Sequence, residues 1–178
     1  MPISDDFFHG SINGDGLRRF TDRQLAFYTA LNPSAALRSR CPAGIRIGLR
    51  TDASILELEF EIVEKARDYL GIDVEVDGAI VRSIRYESPG STLRLREQLF
   101  ALKEQRSREV WIYLPLTVEI RSLELSATGT PLPAHKRQLL CLGDSITQGM
   151  ASLNPSCSYA SPVAGCQLIE SRRGRSDF

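Results

Sequence analysis

From Ser54 to Ile62 the chain alternates apolar and polar residues, the period-two pattern of a strand buried on one face. Strict alternation puts Leu56, Leu58, Phe60 and Ile62 on one face and Glu57, Glu59 and Glu61 on the other. Ile72-Asp73-Val74-Glu75-Val76 alternates too, Asp77-Gly78 supplies a turn, and Ala79-Ile80-Val81 returns. An Asp-Gly pair between two such runs provides the positive φ angles of a tight hairpin. Thr92–Arg96, Val110–Leu114 and Val118–Leu125 continue the series, with Pro115 breaking the last two apart. No long amphipathic helix interrupts these runs, and a doubly wound fold would need helices between its strands. The pattern therefore predicts an antiparallel β-sandwich or jelly roll from about Phe7 to Ser126. Its inward residues are expected to include Ile55, Leu56 or Leu58, Phe60, Val74, Val76, Trp111 and Leu123.

The pattern changes after Ser126. Thr128-Gly129-Thr130-Pro131-Leu132-Pro133 holds two prolines and a glycine, the composition of a stiff linker. Gln138-Leu139-Leu140-Cys141-Leu142 then runs apolar without alternation and ends at Gly143, as a buried strand of a parallel sheet does. The expected organisation is a sandwich domain over residues 1–127, a linker over 128–137, and the start of an α/β domain over 138–178. The fold class is mainly β, followed by the first strand and turn of an α/β unit.

That second segment carries the candidate chemistry. An apolar strand ends at Gly143 and Ser145 follows two residues later, with Thr147 and Gly149 behind it. A serine where a strand turns towards a helix exposes its oxygen, and backbone N–H groups there can stabilise a developing oxyanion. Gly143 lets the backbone turn tightly without a Cβ.

Gly143-Asp144-Ser145-Ile146-Thr147-x-Gly149 after an apolar strand resembles the first sequence block of the SGNH (GDSL-type) hydrolases. That family includes lipases, thioesterases, acetylxylan esterases and other carbohydrate esterases. Phe8-His9-Gly10-Ser11, Arg50–Ser54 and Val110–Pro115 through Leu125 resemble the β-domain that precedes the catalytic domain in one bacterial subgroup. The resemblance implies that Ser145 is the nucleophile, that its backbone N–H is one oxyanion donor, and that Asp144 and Gly143 hold the elbow. It also implies a general base, a histidine in an Asp-x-x-His block near the C-terminus, and further oxyanion donors from a glycine block and an asparagine block. None of those blocks is identifiable here. No histidine follows Ser145, and Asn154 is too near it and in the wrong context. The region from Ser158 through Val163 could begin the helix expected after the elbow. Ser171–Phe178 shows no apolar periodicity and reads as a truncated or frame-shifted end.

Asp6-Phe7-Phe8-His9 has the Asp-x-x-His spacing at the wrong end of the chain, within the segment assigned to the first strand. His135 falls in the linker and reads as a solvated residue. Cys41, Cys141, Cys157 and Cys166 form no Cys-x-x-Cys pair, and with two distant histidines no zinc site is expected. Free thiols suit a cytoplasmic protein. Lys+Arg and Asp+Glu both number 22, a net charge of zero that lacks the electrostatic footprint of a non-specific nucleic-acid binder. No run is long and apolar enough for a membrane span, and no cofactor or metal is implied. The expected function is hydrolysis of a carboxylic ester, on a small molecule or an acylated carbohydrate, through Ser145. This chain alone is expected to be inactive. The rival is a non-catalytic β-sandwich binding module with a vestigial block at Gly143–Gly149.

Overall fold

Alternation builds two antiparallel sheets whose apolar faces meet. The computed structural model describes residues 2–12, 15–87, 93–133, 138–143, 146–158 and 167–172. Chain order is β1 (Phe8–His9), α1 (Asp22–Leu31), α2 (Pro33–Arg40), β2 (Arg46–Thr51), β3 (Ile55–Lys65), β4 (Tyr69–Val76) and β5 (Ala79–Glu87). There follow β6 (Leu93–Ala101), β7 (Arg108–Tyr113), β8 (Val118–Leu125), β9 (Thr130–Pro131), β10 (Gln138–Gly143) and β11 (Gln167–Arg172). One sheet has the order β1-β2-β7-β4-β5, with β9 pairing β2 beside β1, and the other has the order β6-β3-β8.

In β3 the predicted register holds: Leu56, Leu58, Phe60 and Ile62 are buried to 1% exposure or less. Facing them across the sandwich are Leu70, Ile72 and Val74 of β4, Ile47 and Leu49 of β2, and Val110 and Ile112 of β7. Glu57, Glu59 and Glu61 lie on the opposite face. There Arg96 meets Glu57 at 2.5 Å, Arg121 meets Glu61 at 3.0 Å and Arg94 pairs with Glu59. Such exposed pairs each contribute roughly 0–1 kcal/mol. The Asp77-Gly78 turn joins β4 to β5 with both residues at positive φ, 50° and 85°, as the hairpin reading required.

Three expectations are corrected. The span from Phe7 to Ser126 contains two helices, which precede β2. Their signals are local: Thr21 and Gln24 cap α1 reciprocally, and Asn32 caps α2 with Pro33 at its first position. Neither helix gathers its apolar residues into a marked stripe, which hides both from a periodicity reading. The buried Arg19 binds the carbonyls of Cys41 and Arg38 at 2.7 and 2.8 Å, and Arg40 meets Glu119 of β8 at 2.7 Å.

Ile55, expected inside, is 53% exposed, because the alternation starts at Leu56. Trp111 also faces outwards, since Val110 and Ile112 take the inner positions of β7. Its ring lies over Gly48, where a Cβ would come within 2.5 Å of it, with the Arg46 guanidinium 4.2 Å away and the His9 ring edge-on at 4.8 Å. On the same face burial and a hydrogen bond to Glu75 push the Tyr113 hydroxyl up to about 12.

Beyond β8, Thr130 and Pro131 pair with Arg50 and Leu49, and Leu132 is buried with its N–H on the Gly48 carbonyl. Gln138–Gly143 then forms a strand parallel to Gln167–Arg172, residue opposite residue from Gln138↔Gln167 to Gly143↔Arg172. A parallel strand was expected at the first of these and an aperiodic tail over part of the second. The helix start expected from Ser158 lies almost wholly outside the described residues. Among those residues no helix is long and apolar enough to cross a membrane.

If the β3 register carries the sandwich, Phe60→Ala should cost about 3–5 kcal/mol of unfolding free energy. Glu59→Ala on the opposite face should cost no more than about 1 kcal/mol. Urea denaturation followed by Trp111 fluorescence separates the two; equal losses would contradict the register.

Candidate active site

The candidate elbow begins where β10 ends. A Cβ on Gly143 would overlap the Thr147 hydroxyl and stand 2.6 Å from the Thr147 Cβ, so the chain folds back on itself within four residues. Only glycine admits that approach. Gly149 is the block's second necessary glycine, with a φ of 74°. A side chain there would also meet Leu116 at 2.9 Å and Ser158 at 3.0 Å. Asp144 and Ser145 lie outside the described residues. Ile146, the next residue, is 75% exposed, whereas Thr147, Gln148 and Met150 are buried.

Residues 146–158 lie against the sandwich. Gln148 donates from its amide nitrogen to the carbonyls of Leu116 and Arg38, each at 3.4 Å. The Tyr69 hydroxyl donates to the Met150 carbonyl. Asn154 accepts twice from the Arg85 guanidinium, at 2.8 and 2.5 Å. Asp73, 1% exposed, accepts from the N–H and hydroxyl of Ser156 at 3.0 and 2.7 Å and from the Ser83 hydroxyl at 2.5 Å. An open cleft of about 480 Å³ runs between sandwich and segment, lined by Arg67, Tyr69, Ile146, Met150, Cys157 and others. Most of its wall is apolar and Arg67 is its cation.

The other candidates separate from this place. His9 is buried in β1, its backbone paired with Arg46 and its ring against Trp111. β1 stands three strands from β4 in the sheet order, roughly 14 Å at ordinary strand spacing. Asp6 sits in the single 3-10 turn before β1 and has no part in the segment's anchorage. His135 lies outside the described residues. Asn154 is occupied by Arg85. Cys41 is buried, which pushes its thiol up to about 12, while Cys157 is exposed at the cleft. Among the described residues no cluster of His, Cys, Asp and Glu is arranged to hold a metal ion.

Of the three β4 residues that meet the segment, Tyr69, Gly71 and Asp73, the sequence marks only one. That one is Gly71: a glycine inside an alternating strand marks a close approach by another backbone. Here a Cβ on Gly71 would overlap the carbonyl oxygen of Leu153.

No family model matches the chain, and no curated protein matches it by sequence. Solved structures do. A protein from Bacteroides ovatus described as a GDSL-like lipase aligns over 97% of this chain and 56% of its own, with 19% identity and a TM-score of 0.72. A salicylyl-acyltransferase of a tetracycline biosynthetic pathway aligns over 93% and 51%, with 23% identity and a TM-score of 0.69. An acetyl xylan esterase from the rumen bacterium Butyrivibrio proteoclasticus aligns over 74% and 40%, with 19% identity and a TM-score of 0.52. The fold is thus mainly β and GDSL-hydrolase-like, and the chain spans about half the length of the first two structures.

The tight return at Gly143 makes a direct test. Gly143→Ala should destabilise the segment after β10 by about 1–3 kcal/mol, the usual range for overpacking. Thr147→Gly in the same chain should restore part of the loss, as read by thermal denaturation. An alanine variant as stable as the parent would contradict the close approach.

Proposed function

We propose that the protein this chain represents is a serine esterase in which Ser145 is the acyl-accepting nucleophile. One observation supports this most: a strand in a parallel pair ends at a glycine that has no room for a Cβ, two residues before that serine, in a GDSL-hydrolase-like fold. In this reading Ser145 Oγ attacks the acyl carbon while a general base takes its proton. The backbone N–H of Ser145 donates to the resulting oxyanion, with Gly143 and Asp144 shaping the elbow. Collapse of the tetrahedral intermediate expels the alcohol, which takes up the proton. Water then attacks the acyl-serine by the same route and releases the acid. Transfer of the acyl group to another hydroxyl instead of water would use the same intermediate.

The base is the missing part. His9 is committed to the far strand of the sheet, and His135 is the other histidine of the 178 residues. The reading calls for a histidine within hydrogen-bond reach of Ser145 Oγ, such as an Asp-x-x-His block would supply. An acylated carbohydrate is the substrate class we favour, on the analogy of the acetyl xylan esterase. No cofactor or metal enters the scheme, and we place the reaction in the cytoplasm, with neither nucleic acid nor membrane as partner.

The rival binding-module reading gains no support from the sheet. Trp111 is flanked by Arg46, Gly48 and His9, and Tyr113 is buried and bonded to Glu75.

Hydrolysis of p-nitrophenyl acetate decides between them. The 178-residue chain should show no turnover that depends on Ser145. A longer form carrying an Asp-x-x-His block should be active and lose at least about a thousandfold in kcat on Ser145→Ala. Serine-dependent turnover by the short chain would return His9 and His135 to consideration. A longer form indifferent to Ser145→Ala would overturn the nucleophile.

A further inference from the structure

We propose that the outer face of β4 and β5 is an intramolecular docking strip for the segment after the candidate nucleophile, with Asp73 as its positioning residue. The functional half of this proposal rests on the Ser145 reading; the structural half does not.

Tyr69, Gly71 and Asp73 are successive outward positions of β4, because Leu70, Ile72 and Val74 between them fill the core. Each meets the segment at a residue three further along: Tyr69 at Met150, Gly71 at Leu153 and Asp73 at Ser156. Two strand residues advance roughly 6.6 Å, a step that three residues of a turning chain also cover. The strand and the segment therefore keep pace over three contacts. β5 adds a second row. Ser83, opposite Asp73 in the ladder, donates to it, and Arg85, opposite Gly71, holds Asn154.

Each contact is of a kind that resists substitution. At Gly71 the fit is steric. At Asp73 it is electrostatic: a buried carboxylate needs donors on both oxygens, and it has Ser83 on one and Ser156 on the other. Releasing the segment removes both Ser156 donors and uncovers that oxygen to water, so segment release and exposure of Asp73 are coupled. Upstream, Gln148 and Gly149 lie against Leu116, so the sandwich shapes the path of the chain from three residues past Ser145 onwards. The sandwich then belongs to the catalytic unit, and β4 acts on the reaction through the segment it holds.

Hydrogen exchange by mass spectrometry on the 178-residue chain tests the strip without any need for activity. In Asp73→Asn and in Ser156→Ala, the amides of Ser156, Cys157 and Ser158 should exchange at least about tenfold faster than in the parent, the ratio one lost charge-assisted hydrogen bond allows. Amides of β3 and β8 should keep their rates, and the double variant should exchange no faster than the faster single one. Should Asp73→Asn fail to fold, Ser156→Ala carries the test from the segment's side. Unchanged exchange in either folded variant overturns the strip.

For the positioning role, the longer base-bearing form should lose about tenfold in kcat for p-nitrophenyl acetate on Ser156→Ala, with KM within about twofold of the parent. A kcat per folded molecule equal to the parent's overturns that role even if exchange accelerates. A longer form that is inactive without any substitution counts against the Ser145 reading, and exchange alone then judges the strip.

Discussion

A carboxylate removed from water must be met by hydrogen-bond donors, and the burial of Asp73 turns that requirement into architecture. One of its oxygens is met from within the sheet, by Ser83, and the other from 83 residues away in sequence, by Ser156. The inner side of the same strand is committed to the core through Leu70, Ile72 and Val74. β4 is therefore covered on both faces along its middle, although antiparallel strands commonly leave one face to water. Close contact at Gly71 and the Tyr69 hydrogen bond follow from the same alternation, since all three residues share the outer side. On the outer face of β3 the charges are cheap. The Glu57, Glu59 and Glu61 row meets its arginines in solvent, where pairing and solvation nearly balance.

How much of this was legible follows from the range of each interaction. The β3 register was legible because Leu56 to Ile62 alternate without a break and one face must be apolar. The β4–β5 hairpin was legible because positive φ at two adjacent positions calls for a pair such as Asp77-Gly78. The uninterrupted apolar run before Gly143 pointed to a parallel strand and lies beside β11 in that sense. Ile55 and Trp111 were misplaced for a common reason. Apolar residues at a strand's end or on its outer face look the same in sequence as inward ones, and only the phase set by Leu56 or by Val110 and Ile112 distinguishes them. The helices were missed because their evidence is in caps, Thr21 with Gln24 and Asn32 with Pro33, while the residues between lack a marked apolar stripe.

The docking of residues 146–158 was beyond a linear reading. A serine-rich segment and a polar position in a strand carry no mark of each other, and the pairing of Asp73 with Ser156 exists only in three dimensions. Gly71 was the one local hint. Within the stretch expected to be a linker, Thr130, Pro131 and Leu132 run along β2. Proline fits there because β9 is at the edge of the sheet, where a missing N–H costs nothing in the ladder.

The sandwich, the elbow and the segment beyond it thus read as one unit organised around the return of the chain at Gly143. The chemistry assigned to that unit converges on a single oxygen atom. Mass spectrometry of the longer, base-bearing form after treatment with a fluorophosphonate tests it most directly, because the probe marks an activated serine whatever the natural substrate. A phosphonyl adduct is expected on the peptide containing Ser145, absent after Ser145→Ala. An adduct on another residue, or one that survives that substitution, would contradict it.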